Sequence, residues 1–204
     1  MSRHPQRKNP LAGAEPSSEA RSSWQIPMFK TPLWLGKTQS YAVVIPVINE
    51  GGRIQSLLDR MATQNVSAIA DIIIVDGGST DGSLDLEYIK GIGVQGLLVM
   101  TDPGKLSSQL RCAYAFALDY GYEGVITIDG NDKDDPEAIK RFIDSLSHGV
   151  DFVQASRYVD GGIAENTPKM RDFAIRWIHA PLLNLSSGSR WTDSTQGFRG
   201  YSRK

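Results

Sequence analysis

The residues best suited to chemistry form an acidic cluster at positions 129–137, directly after a predicted strand. Asp129 and Asn131 lie two residues apart, so two oxygen-bearing side chains can face one divalent cation. Mg²⁺ and Mn²⁺ prefer oxygen ligands, often one or two from protein and the rest from phosphate and water. We therefore predict Asp129 and Asn131 as metal ligands. The later acids of the cluster are interpreted as a helix start, where carboxylates favour the dipole: Asp134, Asp135 and Glu137.

Other polar residues also follow predicted strands directly. Asn49 and Glu50 follow the first strand, Asp76 ends the second, and Arg157 follows the fifth. In open sheets of parallel strands, ligands bind beyond the carboxyl ends of the strands. We therefore expect these side chains to meet at one edge of the sheet.

Short apolar runs alternate with helical periodicity from residue 41 onward. Strands are predicted at 41–47, 71–76, 96–100, 124–128 and 151–156. Helix faces recur at i, i+3, i+4 and i+7 after each of the first, third and fourth strands, and a further helix begins near Pro168. Pro181 is expected to end or kink that helix. Apolar strands alternating with helices indicate an α/β fold: a single domain with a mostly parallel sheet and helices on both faces.

Composition excludes several classes of protein. The net charge of −1 argues against a nucleic-acid binder, and the single cysteine, Cys112, excludes an intrachain disulfide. No stretch approaches the ~20 apolar residues of a membrane-spanning helix. The G-x-G-x-x-G, Walker A and G-x-S-x-G motifs are also missing, which disfavours dinucleotide binding, P-loop hydrolysis and serine hydrolysis.

Charge divides the chain into a tail over residues 1–38, with net charge +4, and a domain over residues 39–204, with net charge −5. The tail is rich in Pro and Ser and is predicted to be disordered or strap-like. Its apolar end, from Trp24 to Leu35, has two interpretations. It packs on the domain as a strap, or it contacts a membrane surface, since aromatic and basic residues favour that interface.

Five motifs together resemble glycosyltransferase family 2. They are Val43-Val44-Ile45-Pro46-Val47-Ile48-Asn49-Glu50, Ile74-Val75-Asp76-Gly77-Gly78-Ser79-Thr80-Asp81-Gly82, Ile126-Thr127-Ile128-Asp129-Gly130-Asn131, Ala155-Ser156-Arg157-Tyr158 and Gly197-Phe198-Arg199. The set is most similar to polyprenyl-phosphate sugar transferases of the dolichyl-phosphate mannosyltransferase kind and to bacterial cell-wall transferases. The resemblance implies a Rossmann-like GT-A fold, a nucleotide-diphosphate sugar donor, a divalent cation and inversion at the sugar carbon.

The resemblance also implies roles for individual residues. It places a donor-nucleotide site at Pro46, Ile48, Glu50, Asp76 and Gly77, with Lys105 near the donor phosphates. It places the metal and diphosphate motif at Asp129 and Asn131, with Lys133 two residues further on at a position that reaches the metal in some relatives. It places the acceptor phosphate at Arg157 and Arg171, whose guanidinium forks suit that anion.

The chain departs from the family pattern at three points. Gly77 stands where a second Asp commonly contacts the base or ribose, so the donor identity is open. Asn131 removes one negative charge from the metal motif, and Lys133 adds a positive one. The chain also ends soon after Gly197-Phe198-Arg199, so either a truncated fragment or a shortened enzyme is expected.

Three functional hypotheses remain open. In the first, the acceptor is a polyprenyl phosphate or related cell-envelope acceptor; a lipid phosphate is already anionic and needs no base. Asp129 then acts on the donor side with Asn131 and Lys105, and the protein works peripherally at the cytoplasmic face of the membrane. In the second, a saccharide hydroxyl is the acceptor and Asp132 or Asp193 is the general base. In the third, the chain is a non-catalytic nucleotide- or lipid-binding module. The sequence leaves the oligomeric state open.

Overall fold

The computed structural model describes residues 24–159, 168–188 and 191–204. The strands are β1 (Phe29–Trp34), β2 (Tyr41–Val47), β3 (Asp71–Asp76), β4 (Val94–Met100), β5 (Gly124–Thr127), β6 (Phe152–Gln154) and β7 (Arg199–Ser202). The helices are α1 (Gly52–Thr63), α2 (Leu86–Gly91), α3 (Leu106–Asp119), α4 (Ala138–Ser147), α5 (Lys169–Ala174) and α6 (Ala180–Ser187). A 3₁₀ turn covers Val66–Ala68, and a π-helical turn covers Ile175–His179.

The strands form one sheet in the order β1-β4-β3-β2-β5-β7-β6. Strands β4, β3, β2 and β5 are parallel neighbours, whereas β1 and β7 run against them. Strand β6 pairs antiparallel with β7 and so runs in the direction of β5. The predicted α/β architecture with a mostly parallel sheet is confirmed.

The centre of the sheet is buried on both faces, as its β-branched apolar sequence predicts. Along β2, Val43 and Ile45 belong to the core between the sheet and helices α1 and α4, while Val44 packs on the opposite face with residues of α3. Helix α1 buries the four residues whose spacing predicted its face: Ile54, Leu57, Leu58 and Met61. These contacts fix the carboxyl ends of β2, β3 and β5 side by side.

Three elements were not predicted. Strand β1 comes from residues that the charge boundary assigned to the tail, and it pairs antiparallel with β4 at the edge of the sheet. Its sequence, with Lys30 and Pro32, has no buried apolar run, because an edge strand needs only one partner. Helix α2 is short and capped by Asp85, which accepts a hydrogen bond from the Tyr88 backbone. Strand β7 inserts between β5 and β6.

The helix predicted from Pro168 extends past Pro181 instead of ending there. It runs as α5, continues through the π-helical turn, and resumes as α6 with Pro181 in its first turn. The amide that Pro181 lacks falls directly after the π-helical turn, where the i→i−4 hydrogen-bond ladder is already interrupted.

Candidate functional site

The loop after β5 lies directly on the carboxyl end of β2. A side chain at Gly130 would come within 3.2 Å of the Pro46 carbonyl oxygen and 3.1 Å of Val47 Cγ2. Glycine at this position therefore allows the two backbones to approach closely. This approach places the Asp129 and Asn131 side chains at the expected edge of the sheet.

Asp129 is held against the segment that leads into β7. A Cβ atom at Gly197 would lie 3.1 Å from one carboxylate oxygen of Asp129 and 3.2 Å from the other. Burial raises the pKa of Asp129, while the positive charges of Lys133 and Arg199 act in the opposite direction. Asp129 is therefore a half-buried carboxylate that faces basic side chains.

Asp134, assigned to a helix start by the sequence, faces the same cavity as Asp129. Its Oδ1 accepts a 2.7 Å hydrogen bond from Gln196 Nε2. Burial raises the pKa of Asp134 to about 6, and the Asp129 carboxylate adds to the increase. The helix-start interpretation suits Asp135, whose carboxylate accepts from the Glu137 backbone amide. The same interpretation is wrong for Asp134, because its hydrogen-bond partner, Gln196, lies far along the chain.

Asp132, one of the two predicted general bases, is attached to helix α1. It has a left-handed backbone, with φ of 59°. Its Oδ2 accepts from Ser56 Oγ at 2.5 Å, and its Oδ1 forms an ion pair with Arg60 Nη1 at 2.8 Å. Both carboxylate oxygens are thus engaged in holding the loop to α1.

Asp193, the other predicted base, forms a bidentate pair with Arg157. Arg157 Nε donates to Asp193 Oδ2 at 2.8 Å and Nη2 donates to Oδ1 at 3.1 Å. Nη2 also donates to Thr195 Oγ1 at 2.6 Å. Burial alone would raise the pKa of Asp193, but hydrogen bonds from Arg157 and the Thr195 backbone outweigh it and hold the pKa below its usual range. A carboxylate with a lowered pKa is a weak base.

One cavity of about 680 Å³ joins these side chains. The loop after β5, from Asp129 to Asp135, lines one side, and residues 155–157 after β6 line another. Ala138 and Arg141 at the start of α4, together with Gln196 and Phe198, complete the lining. The structure thus brings the predicted metal residues and one predicted acceptor arginine to a single space. The side chain of Arg171 lies outside the described residues.

The predicted donor-nucleotide residues lie along the ends of β2 and β3. Asp76 Oδ1 accepts from the Gly78 and Ser79 amides at 3.1 and 2.8 Å, which shapes the turn after β3. A Cβ atom at Gly77 would lie 2.5 Å from Ile48 Cγ1 and 2.6 Å from Ile48 Cδ1. The Ile48 side chain therefore fills the space that a larger residue at position 77 would need.

Gln109 is a structural residue of this region that no sequence pattern revealed. This buried side chain donates from Nε2 to the Val47 and Val75 carbonyls at 2.8 Å each, which bridges the ends of β2 and β3.

Two further residues predicted to contact the donor lie outside the cavity lining. Glu50 pairs with Arg53 at 2.7 Å at the start of α1. Lys105 is the exposed N-cap residue of α3, which follows β4, and both β3 and β2 lie between β4 and the strand that carries the cavity loop.

The oxygen atoms around the cavity fit a cation that a diphosphate helps to bind. Asp129 and Asp134 offer carboxylates and Asn131 an amide oxygen, which also accepts from the Lys133 backbone at 3.2 Å. Within the described ranges, no three His, Cys, Asp or Glu side chains are grouped so that they could hold a metal ion. Magnesium and manganese commonly accept such a partial protein set when substrate phosphates supply the rest.

Helices α5 and α6 carry an exposed apolar surface, which we call the apolar helix face. Its residues are Met170, Phe173, Trp177, Leu182 and Leu185, and the exposed fractions are 81% for Met170, 71% for Trp177 and 86% for Leu185. Apolar side chains grouped at this exposure mark an interaction surface. No helix in the described part of the chain is both long and apolar enough to span a bilayer.

The family model described as Glycosyl transferase family 2 matches residues 42–204 of the chain. The chain is 27% identical to polyprenol monophosphomannose synthase of Mycolicibacterium smegmatis, covering 85% of this chain and 65% of that protein. It is 26% identical to undecaprenyl-phosphate mannosyltransferase of Micrococcus luteus, covering 78% of this chain and 64% of that protein. The chain thus spans somewhat less than two thirds of the length of both relatives.

Solved structures share the fold. Glucosyl-3-phosphoglycerate synthase of Mycobacterium tuberculosis, in complex with Mn²⁺, UDP-glucose and phosphoglyceric acid, matches with a TM-score of 0.55 at 20% identity. The match covers 80% of this chain and 56% of that one. The same enzyme in complex with Mn²⁺, UDP and glucosyl-3-phosphoglycerate gives a TM-score of 0.53. At this identity the likeness establishes the fold alone.

Proposed function

The chain belongs to glycosyltransferase family 2, and we propose that it transfers a sugar from a nucleotide diphosphate to a polyprenyl phosphate with inversion at the sugar carbon. An acceptor phosphate oxygen forms the new bond to the anomeric carbon as the bond to the donor's β-phosphate breaks. The nucleoside diphosphate leaves with the electron pair of that bond. The acceptor oxygen is already anionic, so no proton has to be removed.

On the donor side, the ends of β2 and β3 bind the nucleotide through Pro46, Ile48, Glu50, Asp76 and Gly77. Asp129 and Asn131 hold a divalent cation, Mg²⁺ or Mn²⁺, which when bound neutralises charge on the diphosphate. Asp129 is the principal ligand, since it alone of the two carries a charge. Lys105 lies beyond the cavity lining and contributes to donor attraction at longer range.

On the acceptor side, Arg157 and Arg171 bind the lipid phosphate. Arg157 lines the same cavity as Asp129, and Asp193 fixes its orientation. A phosphate acceptor suits this cavity because both predicted bases, Asp132 and Asp193, are paired with arginines. These two aspartates therefore position other groups and do not remove a proton.

The acceptor also accounts for the apolar helix face. We propose that this face lies on the cytoplasmic surface of the membrane, where a polyprenyl phosphate would be delivered. Trp177 and the basic Arg176 suit a lipid interface, and the net positive charge of the tail adds attraction to anionic headgroups. Co-sedimentation with anionic and neutral vesicles tests this. A Trp177→Ser and Leu185→Ser double variant should lose vesicle binding, whereas an Arg111→Ala control should retain it.

The observation that carries the proposal is that Asp129 and Arg157 line the same cavity. Each group follows a different strand, and β7 lies between those strands. Such an arrangement can hold a donor diphosphate and an acceptor phosphate at the same time, which sugar transfer between them requires.

Radiolabelled nucleotide sugars, undecaprenyl phosphate in vesicles, and Mg²⁺ or Mn²⁺ test the proposal. We expect lipid-extractable label with at least one donor, and a loss of more than about 100-fold in Asp129→Asn and Arg157→Ala. Arg111→Ala, a change on the exposed side of α3, should leave the rate unchanged. Absence of extractable label with every donor and both cations would refute the lipid-phosphate acceptor.

One observation favours a second candidate, transfer to a saccharide hydroxyl. That reaction needs a base, and Asp134 has a pKa of about 6, raised by burial and by the Asp129 carboxylate. Asp132 and Asp193 are engaged by arginines, whereas the Asp134 side chain lines the cavity without an arginine partner among the described residues. Transfer to a hydroxyl acceptor that falls in Asp134→Asn but survives Arg157→Ala would identify this reaction.

A further inference from the structure

Two arginines from separate parts of the chain contact the ring of Tyr158. Arg157 Cζ lies 5.6 Å from the ring centroid, and Arg176 Cζ lies 4.4 Å from it. Each distance is within the range of a cation–π contact. One aromatic ring therefore contacts guanidinium groups from two parts of the chain, and an anion bound by both groups would lie beside that ring.

Arg157 alone is a poor match for a phosphate monoester. Its Nε and Nη2 atoms are engaged by Asp193 and Thr195, so of its three nitrogens only Nη1 has no contact among the described residues. A phosphate monoester carries between one and two negative charges at neutral pH. Binding such a group needs a second cation close to Arg157.

Arg176 contacts the same ring as Arg157 and so offers a second cation. Its Nε forms an ion pair with Asp172 Oδ1 at 3.2 Å, which uses one edge of the guanidinium. The described contacts engage neither of its terminal nitrogens, and its side chain is half exposed. Asp172 thus orients Arg176 in the way that Asp193 orients Arg157.

The π-helical turn places Arg176 next to apolar surface. The turn covers Ile175–His179 and so contains Arg176 and Trp177, while Phe173 lies one turn earlier. Short π-helical segments are costly and occur frequently at functional sites. Trp177 and Phe173 both belong to the apolar helix face, so the same helix offers a cationic group and an apolar surface.

We propose that Arg176 and Arg157 together bind the phosphate of an amphiphilic phosphate monoester whose apolar chain lies along Phe173 and Trp177. The assignment rests on the proposed lipid-phosphate acceptor and adds a binding residue and a direction for the acceptor chain. Arg176 touches the acceptor phosphate, and Tyr158 acts as a positioning residue by holding both guanidinium groups.

Binding of farnesyl phosphate to the full chain, measured by calorimetry without donor, tests the assignment independently of turnover. We expect Arg176→Ala to weaken binding at least 10-fold and Arg176→Lys to recover part of it. Tyr158→Leu should weaken binding, whereas Tyr158→Phe, which keeps the ring, should not. Arg111→Ala is the matched control and should bind like the parent chain.

Two further probes separate a lipid from a free phosphate. Inorganic phosphate tests the charged group alone, and farnesol tests the apolar chain alone. We expect farnesyl phosphate to bind more tightly than either probe. Equal affinity for inorganic phosphate and farnesyl phosphate would overturn the lipid assignment.

Steady-state kinetics give a second readout. Arg176→Ala should raise the KM for the lipid phosphate at least 10-fold and leave the donor KM unchanged. If the parent chain transfers sugar to lipid phosphate and Arg176→Ala has unaltered KM and binding, the Arg176 assignment is wrong and the proposed function stands. If the parent chain neither binds farnesyl phosphate nor labels undecaprenyl phosphate with any donor, the proposed function itself is refuted.

Discussion

Arg157 and Asp193 form a two-point ion pair across 36 positions of sequence, with Nε to Oδ2 at 2.8 Å and Nη2 to Oδ1 at 3.1 Å. The Asp193 side chain is fully buried, and that of Arg157 is only 22% exposed. The pair joins the end of β6 to the segment before β7. It therefore fixes one wall of the cavity while it sets the direction of the guanidinium.

Asp193→Asn should destabilise the fold by about 3 kcal/mol, because it leaves a largely buried arginine without its counter-charge. Urea unfolding measures the change. Asp135→Asn is the control: it removes an exposed ion pair with Arg60 and should cost under about 1 kcal/mol. Equal losses in the free energy of unfolding for the two variants would show that the Arg157–Asp193 pair stabilises the fold no more than an exposed ion pair does.

Because of Asp134, the free energy of unfolding should fall as the pH rises from about 4 to 6. Its pKa in the fold is about 6, raised by burial and Asp129, so in this range the folded chain binds more protons than the unfolded chain. Asp134→Asn should flatten that slope and add about 1 kcal/mol at pH 7, after allowance for solvent screening. Thermal melts across pH measure it. Asp144→Asn, an exposed change on α4, should leave the slope intact, and an unchanged slope in Asp134→Asn would contradict the prediction.

Gly77→Ala should cost about 1–3 kcal/mol because the new methyl group overlaps Ile48. Adding Ile48→Ala should restore part of that loss, and a double-mutant cycle from denaturant unfolding measures the coupling. Gly52→Ala is the matched control, since nothing lies within 4 Å of its new methyl group. A coupling energy near zero would show that Ile48 does not restrict position 77.

Asn131→Asp should tighten Mn²⁺ binding several-fold, since a carboxylate adds charge to the oxygen set beside Asp129. Asn131→Ala should weaken it. Electron paramagnetic resonance of Mn²⁺ in the presence of UDP gives the affinity without turnover. Equal affinity in all three proteins would place the cation away from position 131.

The bounds of β2 and β3 were predicted from sequence because both strands are uninterrupted apolar runs buried on two faces. Strand β7 was not, because Arg199-Gly200-Tyr201-Ser202 carries no such run and takes its conformation from β5 and β6. Asp129 and Arg157 were predicted as strand-end residues and line one cavity. Asp134 was misassigned because its environment depends on Gln196, 62 positions later, and no local pattern reports such a contact.

Strand β7 has a consequence for how the chain folds during synthesis. It leaves the ribosome after both β5 and β6, yet it occupies the place between them. Until it inserts, β5 exposes an unpaired edge, and the loop bearing Asp129 lacks the wall made by Gln196 and Gly197. Such late, long-range pairing is slow compared with local folding and leaves strand edges open to aggregation. The cavity should therefore form only after β7 has been synthesised and has inserted between β5 and β6.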